Sequence, residues 1–378
     1  MKRKIFIPVA IVLLVFVVFL AYRVLSKRSA WIVEKAGLKK VELKQEFEIS
    51  SDEFGYIADI QVDSRGRIYI CDGMNNTIHL YSGDGKFLRK IGKAGEGPGE
   101  FKMLTGIIIG ENDTVYAIDD MLRRITIFAP DKFDKPVAVI KIQRPSNLSV
   151  YPTTPFFLQK NGDFLLTYRE YYTTVDYMKP KYMYLFQVDR NGQTGQNPLL
   201  KVPAPQILVF GEGGSFSLIG IPFGEKTILR SDSKGNIYFA NSSVLGINSL
   251  GFDGEQKNLF SYEVDKIKIT KKKWLKLFRG DENKYLRLNK SLTPVPKFLP
   301  VIGDFIVDSK GRFLIVRDIG KDDYDYICMV FDDKGNKISQ FDIPDNVSFK
   351  LCSGDYVYAV KKNELDVQSV VKYRVIEK

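Results

Sequence analysis

A six-bladed β-propeller of four-stranded antiparallel blades is the fold that this 378-residue sequence predicts, on three observations. First, VDSRGRIYICD (62–72), SDSKGNIYFAN (231–241) and VDSKGRFLIVRD (307–318) repeat one strand-turn-strand signature, and such self-similarity marks a repeat architecture. Second, a further turn follows in SGDGK, DRNGQ, FDGEQ and DDKGN, with 19 residues from Gly66 to Gly85 and again from Gly235 to Gly254. That pitch fits two strands and a short loop, so each unit carries two hairpins and four strands. Third, the last unit supplies only three strands, while an orphan strand at 40–49 precedes the first. A ring closed by pairing the two ends has no free sheet edge, whereas two β-sandwiches have no use for the orphan.

The elements follow in order. Residues 5–22 are 18 consecutive uncharged residues flanked by Lys2, Arg3 and Lys4 and by Arg23, Lys27 and Arg28, enough to span a bilayer. Ala21 has Phe19 where a cleavage site needs a small residue, so residues 1–28 are expected to stay as a membrane anchor rather than leave as a signal peptide. An inside start would place the propeller outside the cytoplasm, on the periplasmic or extracellular side. Residues 29–39 read as a linker and 40–378 as the propeller, with weaker repeat copies at 110–120, 159–168 and 352–360. The closing unit is expected at about 347–351, 356–361 and 369–375, completed by 40–49. Between units 4 and 5, residues 265–290 break the pattern with ten basic and three acidic residues. Trp274, Leu277 and Phe278 share one face at helical spacing, with Lys272, Lys273, Lys276 and Arg279 around them, so one inserted amphipathic helix is expected. Its basic face is either simply solvated or offers a surface to anionic lipid or an acidic partner.

The net charge of +11 suggests a nucleic-acid partner, but its distribution does not. Six basic residues lie in the first 28 positions, and the 265–290 insertion holds most of the remaining excess, which leaves the propeller body near neutrality. Cys71, Cys328 and Cys352 have no metal-binding spacing and fall in strands, as buried thiols do. The one histidine, His79, rules out multi-histidine zinc, and with no partner nearby in sequence it reads as a structural residue.

The segment KIGKAGEGPGEF (90–101), followed by Ile107 to Ile109 and by VYAIDD with RRITIF, resembles the NHL-repeat type of six-bladed propeller, closest across blades 1 and 2. In that family a Gly-rich connection leads from the outer strand of one blade to the inner strand of the next. A phosphate-loop reading of 92–99 fails, because nothing matches GxxxxGK[ST] and a strand follows. Related lactonase-like propellers hold calcium in the central channel with Glu, Asn and Asp, so the resemblance implies Ca2+ or another divalent cation as an alternative, with Asp119, Asp120 and Asp318 as ligands. No other cofactor is implied. Arg123, Arg124, Arg169 and Arg317 follow the second strands of their blades and repel a cation. With Asn241, and with Tyr168, Tyr171 and Tyr172 as stacking surface, they suit an anionic or carbonyl-rich ligand instead. The expectation is therefore a membrane-tethered, extracytoplasmic binding module for a protein segment or small ligand at the channel mouth. A cation-dependent lactonase or lyase, and a scaffold subunit of an envelope complex, are the alternatives.

Overall fold

The computed structural model describes residues 38–172, 179–212, 215–221, 223–320, 326–344 and 346–378. They form six four-stranded antiparallel blades. Blade 1 runs Ile57–Val62, Ile68–Asp72, Thr77–Tyr81 and Phe87–Ile91 from the inner strand outward. Blade 2 is Leu104–Ile109, Val115–Asp119, Arg124–Phe128 and Ala138–Lys141, and blade 3 is Val150–Leu158, Phe164–Glu170, Tyr182–Val188 and Leu200–Pro203. Blade 4 is Thr227–Ser231, Ile237–Asn241, Leu245–Leu250 and Gln256–Tyr262, and blade 5 is Asp304–Val307, Phe313–Asp318, Tyr326–Phe331 and Lys337–Asp342. Blade 6 takes Val347–Ser353, Tyr356–Lys362 and Gln368–Glu377 from the end of the chain. Its outer strand is Val41–Ser50, antiparallel to the last strand from Val41 opposite Glu377 to Ser50 opposite Ser369, so the expected closing strand is present. Inner strands of successive blades touch all the way round a central axis.

The repeated turn explains its own sequence. In DSRGR the Asp63 carboxylate accepts the N–H groups of Arg65 and Arg67 at 3.0 and 2.9 Å, and Gly66 takes φ +78°. Asp308 does the same for Lys310 and Arg312, both at 2.9 Å. An Asx turn closing on a left-handed Gly needs these residue types at this spacing. Aromatic side chains fill the spaces between blades: Tyr69, Phe101 and Phe128 between blades 1 and 2, and Phe260, Phe305, Phe313 and Phe331 between blades 4 and 5. Each such burial contributes about 1.5–3 kcal/mol.

The Gly-rich connector after blade 1 is a structural clasp. Lys93–Ala94 and Glu100–Phe101 pair in parallel, and the Glu100 carboxylate accepts the Gly97 N–H at 2.9 Å. Gly92, at φ +73°, lies so close to the Phe101 ring that a Cβ there would sit 2.3 Å from it.

Loops between first and second strands emerge on what we call the lower face, and loops between second and third strands on the upper face. Lys39, at the start of the described chain, pairs with Glu377 at 3.6 Å, beside the lower-face turn residues Lys310 and Arg312. The chain therefore enters the ring from below.

Among the described residues, two insertions rise from the upper face. One is the hairpin Ile207–Glu212 with Ser215–Gly220, which the sequence reading did not anticipate. The other replaces the single expected helix with two short ones, α1 (Lys271–Leu277) and α2 (Glu282–Arg287). Arg279 and Gly280 take positive φ between them and Asp281 caps α2, so one continuous helix cannot form. The insertions share a core of Leu208, Phe223, Ile269, Trp274, Leu288 and Leu299, making one cap over blades 4 and 5. The expected anchor at 5–22 and most of the linker lie outside the described residues. Among the described residues no helix is long and apolar enough to cross a membrane.

Candidate functional site

Aspartates at the ends of second strands hold the upper face together. Asp72 accepts N–H bonds from Gly55, Tyr56, Met74 and Asn75 at 3.0–3.2 Å. Burial works against its charge, but the His79 ring 3.6 Å away and hydrogen bonds from Gly55 and Asn75 hold the carboxyl well below the usual range. Asp119 accepts from Lys102 and Leu122 at 2.6 and 2.8 Å, and Asp318 accepts from Gly320 at 2.8 Å and pairs with Lys273 at 2.8 Å. Each ties a loop down, and Asp72 and Asp119 also fix the segment entering the inner strand. Asp119 and Asp318 therefore serve the loops, and the Lys273 ammonium beside Asp318 opposes a cation there. Among the described residues no group of three His, Cys, Asp or Glu side chains could hold a metal. Asp120 differs: its Oδ1 is buried without a hydrogen-bond partner, beside the similarly unpartnered Thr105 hydroxyl. Burial pushes its pKa up to about 7, against the pull of Thr105 and with a further push from Asp119.

The predicted ligand-binding arginines share the upper face, but three of them are engaged locally. Arg124 donates to the carbonyls of Glu96, Gly97 and Glu100 at 2.9, 2.8 and 2.7 Å, clamping the connector. Arg317 donates to the Asp265 carbonyl at 2.8 Å, and Arg169 lies over the Tyr151 ring and bonds its hydroxyl. Arg123 is exposed, at φ +49°. Tyr168 is fully buried with its hydroxyl 2.9 Å from Thr194, so it is a core residue and not a stacking surface. Tyr171 is exposed and packs on Tyr151 at 4.9 Å, while Tyr172 is half-buried. Asn241 donates to Glu225 at 2.9 Å.

The insertion residues separate in the same way. Trp274 is buried between Phe223 and Phe278, which removes it from any surface role, and Lys273 reaches down to Asp318. Lys272, Lys276 and Arg279 are exposed. Arg279 ion-pairs with Asp366 in the upper loop of blade 6, so the cap spans the sector from blade 4 to blade 6.

The axis holds a constellation that sequence reasoning missed. Lys350 of blade 6 interacts electrostatically with Asp59 of blade 1, Asp304 of blade 5 and Arg230 of blade 4. All four residues lie on inner strands, and the inner strand of blade 6 touches those of blades 1 and 5. Arg230 holds Asp304 by both oxygens, at 2.6 and 2.7 Å. Asp59 accepts from the Ile60 and Ile107 N–H groups at 2.8 and 3.3 Å. Burial pushes the Asp59 pKa up against these bonds, and pushes the Lys350 pKa down against the pull of Asp59 and Asp304. Lys350 has no hydrogen-bond or ion-pair partner among the described residues and is half-buried. The sequence does carry the signal: each of these inner strands sets a charged residue beside apolar ones, as Asp59 in IADIQV and Arg230 in TILRS.

A family model described as DUF5128, a 6-bladed beta-propeller, matches residues 49–197. No curated protein matches. Two solved structures share the architecture. A member of the DUF4221 family from Bacteroides vulgatus ATCC 8482 is 11% identical with a TM-score of 0.56, covering 90% of this chain and 99% of its own. A candidate exported protein from Bacteroides fragilis NCTC 9343 is 13% identical with a TM-score of 0.52, covering 91% and 97%. At such identities the likeness is one of fold.

Proposed function

We propose that this chain is an extracytoplasmic, membrane-tethered propeller of NHL-like type that binds a small ligand or protein segment through the upper mouth of its channel. The observation that carries this reading is Lys350, a half-buried ammonium on an inner strand with no hydrogen-bond or ion-pair partner among the described residues. A group in that position has given up much of its hydration and gained no hydrogen bond, the state in which a ligand's acceptor is most rewarded. Perturbed titratable groups gathered in one cleft point the same way. The direction of the chain is also supportive: it enters from the lower face, so a tether at residues 5–22 leaves the upper mouth facing away from the bilayer. That arrangement disfavours a lipid-binding role for the cap, which stands on the far side. The cation-dependent enzyme alternative gains no support from Asp119 and Asp318, which bond loop N–H groups and, for Asp318, Lys273.

Native mass spectrometry of the full chain released gently from its membrane tests the reading, with the Asp59→Ala/Lys350→Ala variant beside it. A bound species carried by the wild type and missing from the variant is expected. Identical spectra from two folded proteins would overturn it.

A further inference from the structure

The mouth of the channel is lopsided. The cap covers blades 4 and 5 and is latched to blade 6 through Arg279 and Asp366. Among the described residues no insertion rises over blades 1 and 2, and four large apolar side chains stand exposed there: Tyr56 at 52%, Met74 at 69%, Met103 at 39% and Met121 at 53%. They belong to one patch. A Cβ on Gly55 would meet the Met74 Cβ at 2.6 Å, and one on Gly73 would meet the Tyr56 ring at 3.6 Å and the Leu104 carbonyl at 3.0 Å. The Asp120 N–H, next to Met121, donates to the Met103 carbonyl at 3.1 Å. Exposed apolar patches of this kind mark binding surfaces, and methionine adapts to the shape of an apolar guest. Lys350 is the fourth residue of its inner strand, about 10 Å below the rim at 3.3 Å per residue.

We propose, as a deepening of the channel reading on which it rests, that the ligand is an amphiphilic carboxylate: its head accepts hydrogen bonds from the Lys350 ammonium and its apolar tail lies on Tyr56, Met74, Met103 and Met121. Charge selects the head. Arg230 is committed to Asp304, and the carboxylates of Asp59 and Asp304 penalise a second negative charge near Lys350. A monoanion suits that balance better than a phosphate dianion. Length selects the tail, which must cross about 10 Å from the Lys350 level to the rim.

Residue-resolved acetylation of the full chain in its membrane, read by peptide mass spectrometry, tests both parts. Lys350 in the free protein should acetylate, and octanoate should lower that by about tenfold, the equivalent of 1.4 kcal/mol, while exposed Lys234 is unaffected. Acetate, which lacks a tail, and octylamine, which has the wrong charge, should not protect. The double variant Met103→Glu/Met121→Glu should still acetylate at Lys350 but lose protection by octanoate. Equal protection by acetate, by octylamine or by octyl phosphate would overturn the ligand class while leaving a channel site in place. No protection by octanoate would overturn the proposal outright. If Lys350 acetylates only in urea, it is out of solvent's reach and the channel reading falls with it.

Discussion

Arg230 in blade 4 grips Asp304 in blade 5 by both carboxylate oxygens, across a contact between inner strands that are far apart in sequence. Both side chains are about 30% exposed, so the pair lies between a surface bridge and a buried one. Arg230→Met should cost about 1.5–3 kcal/mol in urea unfolding, because it leaves the half-buried Asp304 without its cation. Adding Asp304→Leu should recover part of that loss. Simple additivity of the two changes would show that the residues are not coupled.

Asp120 makes stability fall as pH rises. Its carboxyl is held near 7 in the folded chain and at about 4 when unfolded, so the folded state binds the extra proton between those values. The folded state is therefore favoured in acid and loses that advantage as the group ionises on the way to pH 7. Asp120→Asn should raise the melting temperature at pH 8 and change it little at pH 4. Equal shifts at both pH values would contradict the assignment.

Gly92 and Gly311 separate backbone strain from crowding. Both have positive φ, but a Cβ on Gly311 meets nothing within 4 Å, whereas one on Gly92 meets the Phe101 ring. Gly311→Ala should cost about 1–2 kcal/mol for the left-handed conformation alone. Gly92→Ala should cost at least about 1 kcal/mol more through overpacking. Matched losses in thermal unfolding would mean that the ring moves aside freely.

Removing the closing strand should undo the cooperativity of the ring. A chain starting at Phe54 lacks Val41–Ser50 and bares the edge of the strand Gln368–Glu377. Its melting transition should broaden and shift downward in calorimetry. An unchanged transition would show that closure contributes nothing to the fold.

The ring was legible in the sequence because its turns repeat: an Asp that closes on two N–H groups and a Gly at positive φ leave a fixed signature wherever a hairpin forms. The closing strand followed by counting. The loop residues were harder to read. Arg124 and Asp119 look like site residues in a string of letters because polar side chains in loops fit either role, and only coordinates show their hydrogen bonds going to backbone groups nearby. The channel was hidden for a different reason. Asp59, Arg230, Asp304 and Lys350 are scattered over nearly 300 positions, and no local pattern says that their strands face one axis. The hairpin at 207–220 escaped because it carries no Asp-Ser-basic-Gly turn and gains its burial from another insertion.

The pairing of Val41–Ser50 with Gln368–Glu377 joins the earliest described strand to the last. During synthesis the closing strand must wait, its edge unpaired, until more than 300 further residues have emerged. Contacts of such separation form slowly, and waiting strands invite association with other chains. For this protein the vulnerable interval is therefore biosynthesis itself: a delay late in translation would leave a nearly complete ring with two sticky ends, and crowding of nascent chains would favour exchange of that strand between copies.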